Sequence, residues 1–131
     1  MTSRTVTTVL PAPRDEVFGY LSEIENLPEW ATEFARRLER EGDHYKVVNN
    51  RGEYYFEIDA DPDTGVIDMY AGPERDSMAL FPTRVVGLPD GSTAYTFTMI
   101  QGSDMPDELF DSQYESLKRE FRNIEATFRS G

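Results

Sequence analysis

Apolar residues in the last quarter of the chain recur at alternating steps of four and three positions. They are Phe110, Tyr114, Leu117, Phe121, Ile124 and Phe128. This spacing keeps side chains on one stripe of an α-helix, and most residues between them are charged or polar. Pro106 suits the first helical turn because it lacks an N–H that would have no partner there, and two acids follow it at the positive end of the helix dipole. The pattern predicts a helix over residues 105–129 whose aromatic face packs on a large surface of the rest of the protein.

In the first third of the chain, the spacing of apolar residues changes twice. Residues 5–10 are rich in β-branched side chains and predict a strand, which Pro11 and Pro13 close. Apolar side chains then return at helical spacing, at Val17, Phe18, Leu21 and Ile24. After a break around Pro28, residues 29–34 predict a second short helix with Trp30 and Phe34 on its apolar side.

The middle of the chain reads as a series of strands separated by turn residues. The predicted strands are residues 36–40, 44–49, 53–61, 66–71, 77–86 and 93–101. Residues 53–61 alternate most clearly, with Tyr54, Phe56, Ile58 and Ala60 on one face and mainly acidic residues on the other. Strands joined by short turns pair antiparallel, and helices kept apart from them indicate the α+β class. We predict a curved antiparallel sheet of six or seven strands, with the C-terminal helix as its cover.

Composition narrows the classes of function. A length of 131 residues fits one domain, residues 1–131, and no apolar run is long enough to span a bilayer. The formal charge of −12 disfavours nucleic acid and anionic membranes as partners. With no cysteine, one histidine (His44) and no phosphate-binding or nucleophile motif, the sequence predicts no metal site and no cofactor. We expect a cytoplasmic protein, either a monomer or a homodimer.

Three motifs stand in a particular order along the chain: PAPRDEVF at residues 11–18, NLPEW at 26–30 and DTGV at 63–66. In these motifs, and in the order of its predicted elements, essentially the whole chain resembles the START-like or Bet v 1-like (SRPBCC) superfamily, most closely its bacterial polyketide cyclase/dehydrase-type members. The resemblance implies a helix-grip fold, in which an antiparallel sheet wraps around the long helix and encloses an apolar cavity. Members hold lipids, sterols, polyketides or plant hormones, some catalyse cyclisation or dehydration, and others bind protein partners, so the fold alone does not decide the function.

Aromatic, leucine and methionine side chains between the helix and the sheet would line such a cavity. The candidates are Trp30, Phe34, Tyr54, Phe56, Tyr95, Phe97, Met99, Phe110, Tyr114 and Leu117. Our first hypothesis is therefore the binding of a hydrophobic or aromatic small molecule, lipid-like or polyketide-like. The alternative is that these side chains fill a solid core, which a domain of this size needs in any case.

A second hypothesis is a polyketide cyclase or dehydratase that works in the same cavity without a metal or cofactor. Asp68 and Tyr70 share one face of a predicted strand, which brings a possible base and a possible hydroxyl donor together. Arg84 would point inward in one of the two registers of the next strand, where a guanidinium can hold an enolate or carboxylate. The simpler alternative is that Asp68 and Arg84 form a structural or surface ion pair.

A third hypothesis is a module that binds a protein partner, including a second copy of itself, through the outer face of the sheet. Its support is Tyr55, an aromatic residue that lies between Glu53 and Glu57 on the face expected to meet water.

Overall fold

A computed structural model describes residues 2–129, and its centre is a seven-stranded antiparallel sheet with one long helix across its inner face. The predicted domain of residues 1–131 includes three residues, 1, 130 and 131, outside that range. The strands are β1 (Ser3–Leu10), β2 (Arg37–Glu41), β3 (His44–Asn49), β4 (Gly52–Asp61), β5 (Val66–Glu74), β6 (Ser77–Gly87) and β7 (Thr93–Ile100). The helices are α1 (Arg14–Ser22), α2 (Leu27–Trp30) and α3 (Asp107–Arg129), with one 3₁₀ turn at Ile24–Asn26. The α+β helix-grip architecture is confirmed.

The sheet order is β1-β7-β6-β5-β4-β3-β2, so the first strand pairs with the last and every other neighbour is joined by a short turn. Side chains alternate between an inner face, toward α3, and an outer face. The inner face carries the core, including Val47, Ile67, Met69, Val85 and Tyr95, each at most 1% exposed. On β4 the predicted division holds, with Tyr54, Phe56, Ile58 and Ala60 inward and the acidic residues exposed.

Helix α3 begins two residues later than predicted, at Asp107, and ends at Arg129 within the described residues. Pro106 lies just before the first turn, and its carbonyl oxygen accepts from the N–H of Phe110 at 3.1 Å. The predicted stripe is buried except for Tyr114, which is half-buried. Each large apolar side chain that α3 removes from water stabilises the fold by about 1.5–3 kcal/mol. None of the helices in residues 2–129 is long and apolar enough to cross a membrane.

The second short helix was predicted in the wrong place. It spans Leu27–Trp30 rather than residues 29–34, with Pro28 inside its first turn, where a proline is tolerated. The Ala31 N–H still donates to the Leu27 carbonyl oxygen at 2.8 Å, but the N–H groups of Glu33 and Phe34 donate to the Glu120 carboxylate on α3, at 3.0 and 2.9 Å. A tertiary contact therefore replaces the helical hydrogen bonds that the local sequence pattern suggested.

The turn between β4 and β5 depends on Gly65. This residue has φ of 81°, in the left-handed region that favours glycine, and its backbone is hydrogen-bonded to Asp61 and to Val85, at 2.9 Å each. A side chain here would overlap the carbonyl oxygen of Val85 and press on the Arg14 side chain. The turn thus needs glycine both for its dihedral angle and for its close approach to β6.

Gly65→Ala should destabilise the protein by about 1–3 kcal/mol more than Gly91→Ala, because only the first substitution adds a steric clash to the cost of positive φ. Gly91 is the matched control, with φ of 90° and open space around the Cβ position. Urea unfolding of the two variants measures the difference. Equal losses would show that the contact with Val85 relaxes without cost.

Candidate ligand-binding cavity

A cavity of about 500 Å³ lies between α3 and the inner face of the sheet, with α2 and the loop after it at one end. Exposed residues at its rim, among them Asn50, Arg51, Pro73 and Ser112, show where it meets solvent. Seven of the ten predicted lining residues are in its wall: Trp30, Phe34, Tyr54, Phe56, Phe97, Met99 and Leu117. The phenyl rings of Phe34 and Phe56 lie 5.8 Å apart, which gives one side of the wall an aromatic surface.

The other three predicted lining residues lie elsewhere. Tyr95 is fully buried in the core, where its ring stacks on Phe121 at 5.5 Å. Phe110 and Tyr114 face Arg4 of β1, with the guanidinium carbon 5.9 and 4.8 Å from their ring centres. For Phe110 and Tyr114 the reason is the rotation of α3, which turns these two residues toward β1, while Leu117 of the same stripe borders the cavity.

The neighbouring stripe of α3 faces the cavity instead, and it is more polar. It contributes Leu109, Ser112, Gln113, Ser116 and Glu120, which recur at helical spacing beside the apolar stripe. We predicted none of these five, although a signal for Glu120 is present. It follows Leu117 by three positions and precedes Ile124 by four, so it belongs on the buried side of the helix.

The three predicted catalytic residues do not enter the cavity. Ile67, Met69 and Ala71 point inward from β5, so Asp68 and Tyr70 between them lie on the outer face. On β6 the inward side chains include Thr83 and Val85, which leaves Arg84 exposed on the outer face. The inward register that we considered for Arg84 is therefore wrong, and the three side chains do not meet at one cavity. No Asp68–Arg84 ion pair forms within residues 2–129 either.

The outer face carries some apolar surface. Leu80 on β6 and Ile100 on β7 are 40% and 41% exposed, and Tyr70 pairs with Leu80 across β5 and β6. Tyr55 lies under the Lys46 ammonium, 4.9 Å from its ring centre, and beside the His44 ring. The hypothesis of a protein partner at this face stays a prediction. Residues 2–129 contain no cluster of metal-ligating side chains.

Glu120 is an ionisable side chain that is buried in the cavity wall. Its side chain is only 4% exposed, and Oε2 accepts hydrogen bonds from the backbone N–H groups of Glu33 and Phe34. Burial raises the pKa of this carboxyl to about 7, although the two N–H donors act in the opposite direction. A carboxyl group that changes charge near neutral pH therefore borders the apolar cavity.

The loop of residues 31–36 is held against α3 by several further contacts. Glu33 accepts two hydrogen bonds from the Arg119 guanidinium, at 2.7 and 2.8 Å, and one from Ser116 at 3.0 Å. This pairing with Arg119 lowers the pKa of the Glu33 carboxyl. Asn123 donates to the Trp30 carbonyl oxygen at 3.0 Å, and Asn49 donates to that of Phe34 at 2.8 Å. The end of the cavity is thus fixed by side chains from both α3 and β3.

No protein-family model matches this chain, and no curated protein matches it in sequence. Solved structures match its fold. A START superfamily protein from Mycobacterium smegmatis is 13% identical and has a TM-score of 0.66, over 98% of this chain and 97% of that one. Ara h 8.0201 is 20% identical with a TM-score of 0.67, over 99% of both chains.

A third similar structure is the di-domain ARO/CYC protein BexL from the BE-7585A biosynthetic pathway. It is 13% identical with a TM-score of 0.69, and the match covers 96% of this chain and 46% of BexL. At these identities the likeness is one of fold. The chain has the SRPBCC-like helix-grip fold, as its motifs predicted.

Replacing Glu120 with glutamine should change how stability depends on pH. The folded-state pKa of Glu120 lies above its ordinary value of 4.5, so the unaltered protein loses stability as pH rises toward and through about 7. Glutamine keeps a carbonyl oxygen for the two backbone N–H groups and cannot ionise. The free energy of unfolding of Glu120→Gln, minus that of the unaltered protein, should therefore be roughly 2–3 kcal/mol larger at pH 8 than at pH 4.

Urea titrations at both pH values measure this change. Glu57→Gln is the matched control, because Glu57 is exposed on the outer face and its replacement alters the net charge equally. The prediction would be contradicted if the stability difference between Glu120→Gln and the unaltered protein changed with pH no more than the difference for Glu57→Gln does.

Tyr95 gives an independent test of the core. Within residues 2–129, its buried hydroxyl makes no hydrogen bond of normal geometry; Thr83 is the polar side chain that acts on it, but the Thr83 hydroxyl donates to the Ile67 carbonyl oxygen at 2.6 Å. Tyr95→Phe should raise the free energy of unfolding by about 1 kcal/mol, because an unpaired buried hydroxyl is costly. Thr83→Val, which removes a hydroxyl that has a partner, should lower it by a similar amount. Thermal unfolding of both variants distinguishes the two, and a loss of stability in Tyr95→Phe would refute the assignment.

Proposed function

We propose that this chain, whose fold is the SRPBCC-like helix-grip fold, binds a hydrophobic or aromatic small molecule in the cavity between α3 and the sheet. The observation that carries the proposal is the cavity itself, about 500 Å³ in volume and walled largely by aromatic and aliphatic side chains. Cavities of this volume and character are typical of small-molecule sites. The alternative of a solid core has less support, because seven of the predicted lining residues border open space.

Small side chains keep this space open. Ala71 and Ala79 face the cavity from paired positions on β5 and β6, and Ser112 and Ser116 face it from α3. An empty apolar cavity weakens a fold, since its lining lacks the contacts that a filled core provides. A ligand that fills the space would restore those contacts and add its own burial from water.

An enzymatic role has less support. The acid, hydroxyl and guanidinium groups that we considered for cyclisation or dehydration are on the outer face of the sheet, away from the cavity wall. The cavity wall contains polar groups on α3, at Glu33 and at residues 49–51, but none of the three predicted catalytic residues is among them. Binding is therefore the function that the geometry supports best.

The neutral, hydrophobic dye Nile red tests this function directly. Trp30 is the single tryptophan of the chain and lines the cavity, so dye bound there should quench its fluorescence and gain emission of its own. Ala71→Phe places a ring in the cavity and should weaken dye binding about tenfold or more, because the ring competes for the same space.

Ala94→Phe is the matched control, since Ala94 lies on the outer face of β7 between Val9 and Val86. It should bind the dye as the unaltered protein does. Equal dye affinities in Ala71→Phe and the control, with both variants folded, would place the dye outside the cavity. Native mass spectrometry of the protein as purified, followed by denaturation, would identify a copurified ligand.

A further inference from the structure

The buried part of the cavity wall contains one ionisable side chain, Glu120, among the residues that the structure describes. The other buried wall residues are apolar or glycine, among them Trp30 and Leu117. A carboxyl group at such a position is costly unless both of its oxygens are hydrogen-bonded. Its placement therefore calls for an account of each oxygen.

The two carboxylate oxygens of Glu120 have different roles. Oε2 holds the loop 31–36 through the N–H groups of Glu33 and Phe34. Within residues 2–129, no group donates a hydrogen bond to Oε1, and this oxygen, unlike the buried hydroxyl oxygen of Tyr95, keeps some accessible surface in a residue that is 4% exposed and lines the cavity. The structural role uses one oxygen and leaves the other for a donor that comes from the cavity.

The nearest positive charge does not satisfy this oxygen. Arg119 adjoins Glu120 on α3, but its guanidinium makes both of its short hydrogen bonds to Glu33. Arg51 is exposed at the rim of the cavity. The charged groups that act on Glu120 are Glu33 and Arg119, and their effects oppose each other.

We infer that Glu120 Oε1 is the polar anchor of the cavity, and that the ligand is an apolar molecule with a hydrogen-bond donor, a hydroxyl or amino group, at one end. A carboxylate at this end is disfavoured, because it would face an acceptor and, above neutral pH, a like charge. This inference rests on the proposed binding function and specifies the chemistry of its ligand.

The first test needs no variant. Displacement of Nile red is measured with 1-dodecanol and with 1-methoxydodecane, which share an alkyl chain and lack charge but differ in the donor. The alcohol should bind about tenfold more tightly, as expected for a hydrogen bond to a charged acceptor. Equal affinities would overturn the inference. Failure of Nile red to bind at all would overturn the proposed function, and the anchor with it.

The second test changes the anchor. In Glu120→Gln, the carboxamide oxygen can keep the two backbone N–H groups, so the amide N–H₂ faces the cavity as a donor. The ratio of dodecanoate affinity to dodecylamine affinity should then rise about tenfold or more. High salt suppresses the attraction of the acidic protein for any cation.

Glu57→Gln again supplies the control, with the same change in net charge on the outer face. Its affinity ratio should match that of the unaltered protein. If Glu120→Gln and Glu57→Gln shift the ratio equally, Glu120 is only a structural residue and the inference is wrong. If Glu120→Gln does not fold, the alcohol and ether comparison decides the question alone.

Discussion

The packing of α3 on one edge of the inner sheet face is the contact on which the rest of the structure depends. In its C-terminal half, Phe121 stacks on Tyr95 at 5.5 Å, and Phe128 meets the Tyr20 ring of α1 at 5.4 Å. In its N-terminal half, Asp111 pairs with Arg4 of β1 at 2.8 Å. The helix thus packs along β1 and β7, and the inner faces of β4, β5 and β6, with Phe97 and Met99 of β7, form the floor of the cavity.

This arrangement also explains the form of the loop 31–36. A loop that closes one end of an apolar cavity has backbone N–H and C=O groups that water cannot fully reach, so they need protein partners. Glu120, Asn123 and Asn49 provide them. Burying Glu120 is unfavourable for its charged form, yet removing it would leave two N–H groups unpaired. The carboxyl group thus has a structural role at a position where an apolar residue would pack more easily.

Much of the fold was predictable, because α3 and β4 each have one mainly apolar face and one mainly polar face. The catalytic prediction failed where this contrast is weak. On β6, Met78, Leu80 and Pro82 occupy one face while Ala79, Phe81 and Thr83 occupy the other, so composition does not fix the register. The buried Thr83 hydroxyl is satisfied by the Ile67 carbonyl oxygen, a contact across strands that no local pattern reveals. The residues of α3 that line the cavity were missed for a related reason. The sequence shows which residues share a stripe of the helix, but not how the helix is rotated about its axis and so which stripe faces the cavity.

The polarity of that stripe bears on what the cavity is for. If the space were a packing defect, its wall would be apolar throughout, since a dry void costs less when no polar group is buried beside it. Instead α3 presents Ser112, Gln113, Ser116 and Glu120 toward it, and Glu33, Asn49, Asn50 and Arg51 add polar groups elsewhere in the wall. Most of these groups are exposed or half-buried, where solvent reaches them, but Glu120 is buried. The wall therefore offers both apolar contact and hydrogen-bonding groups, the combination that the proposed binding function requires.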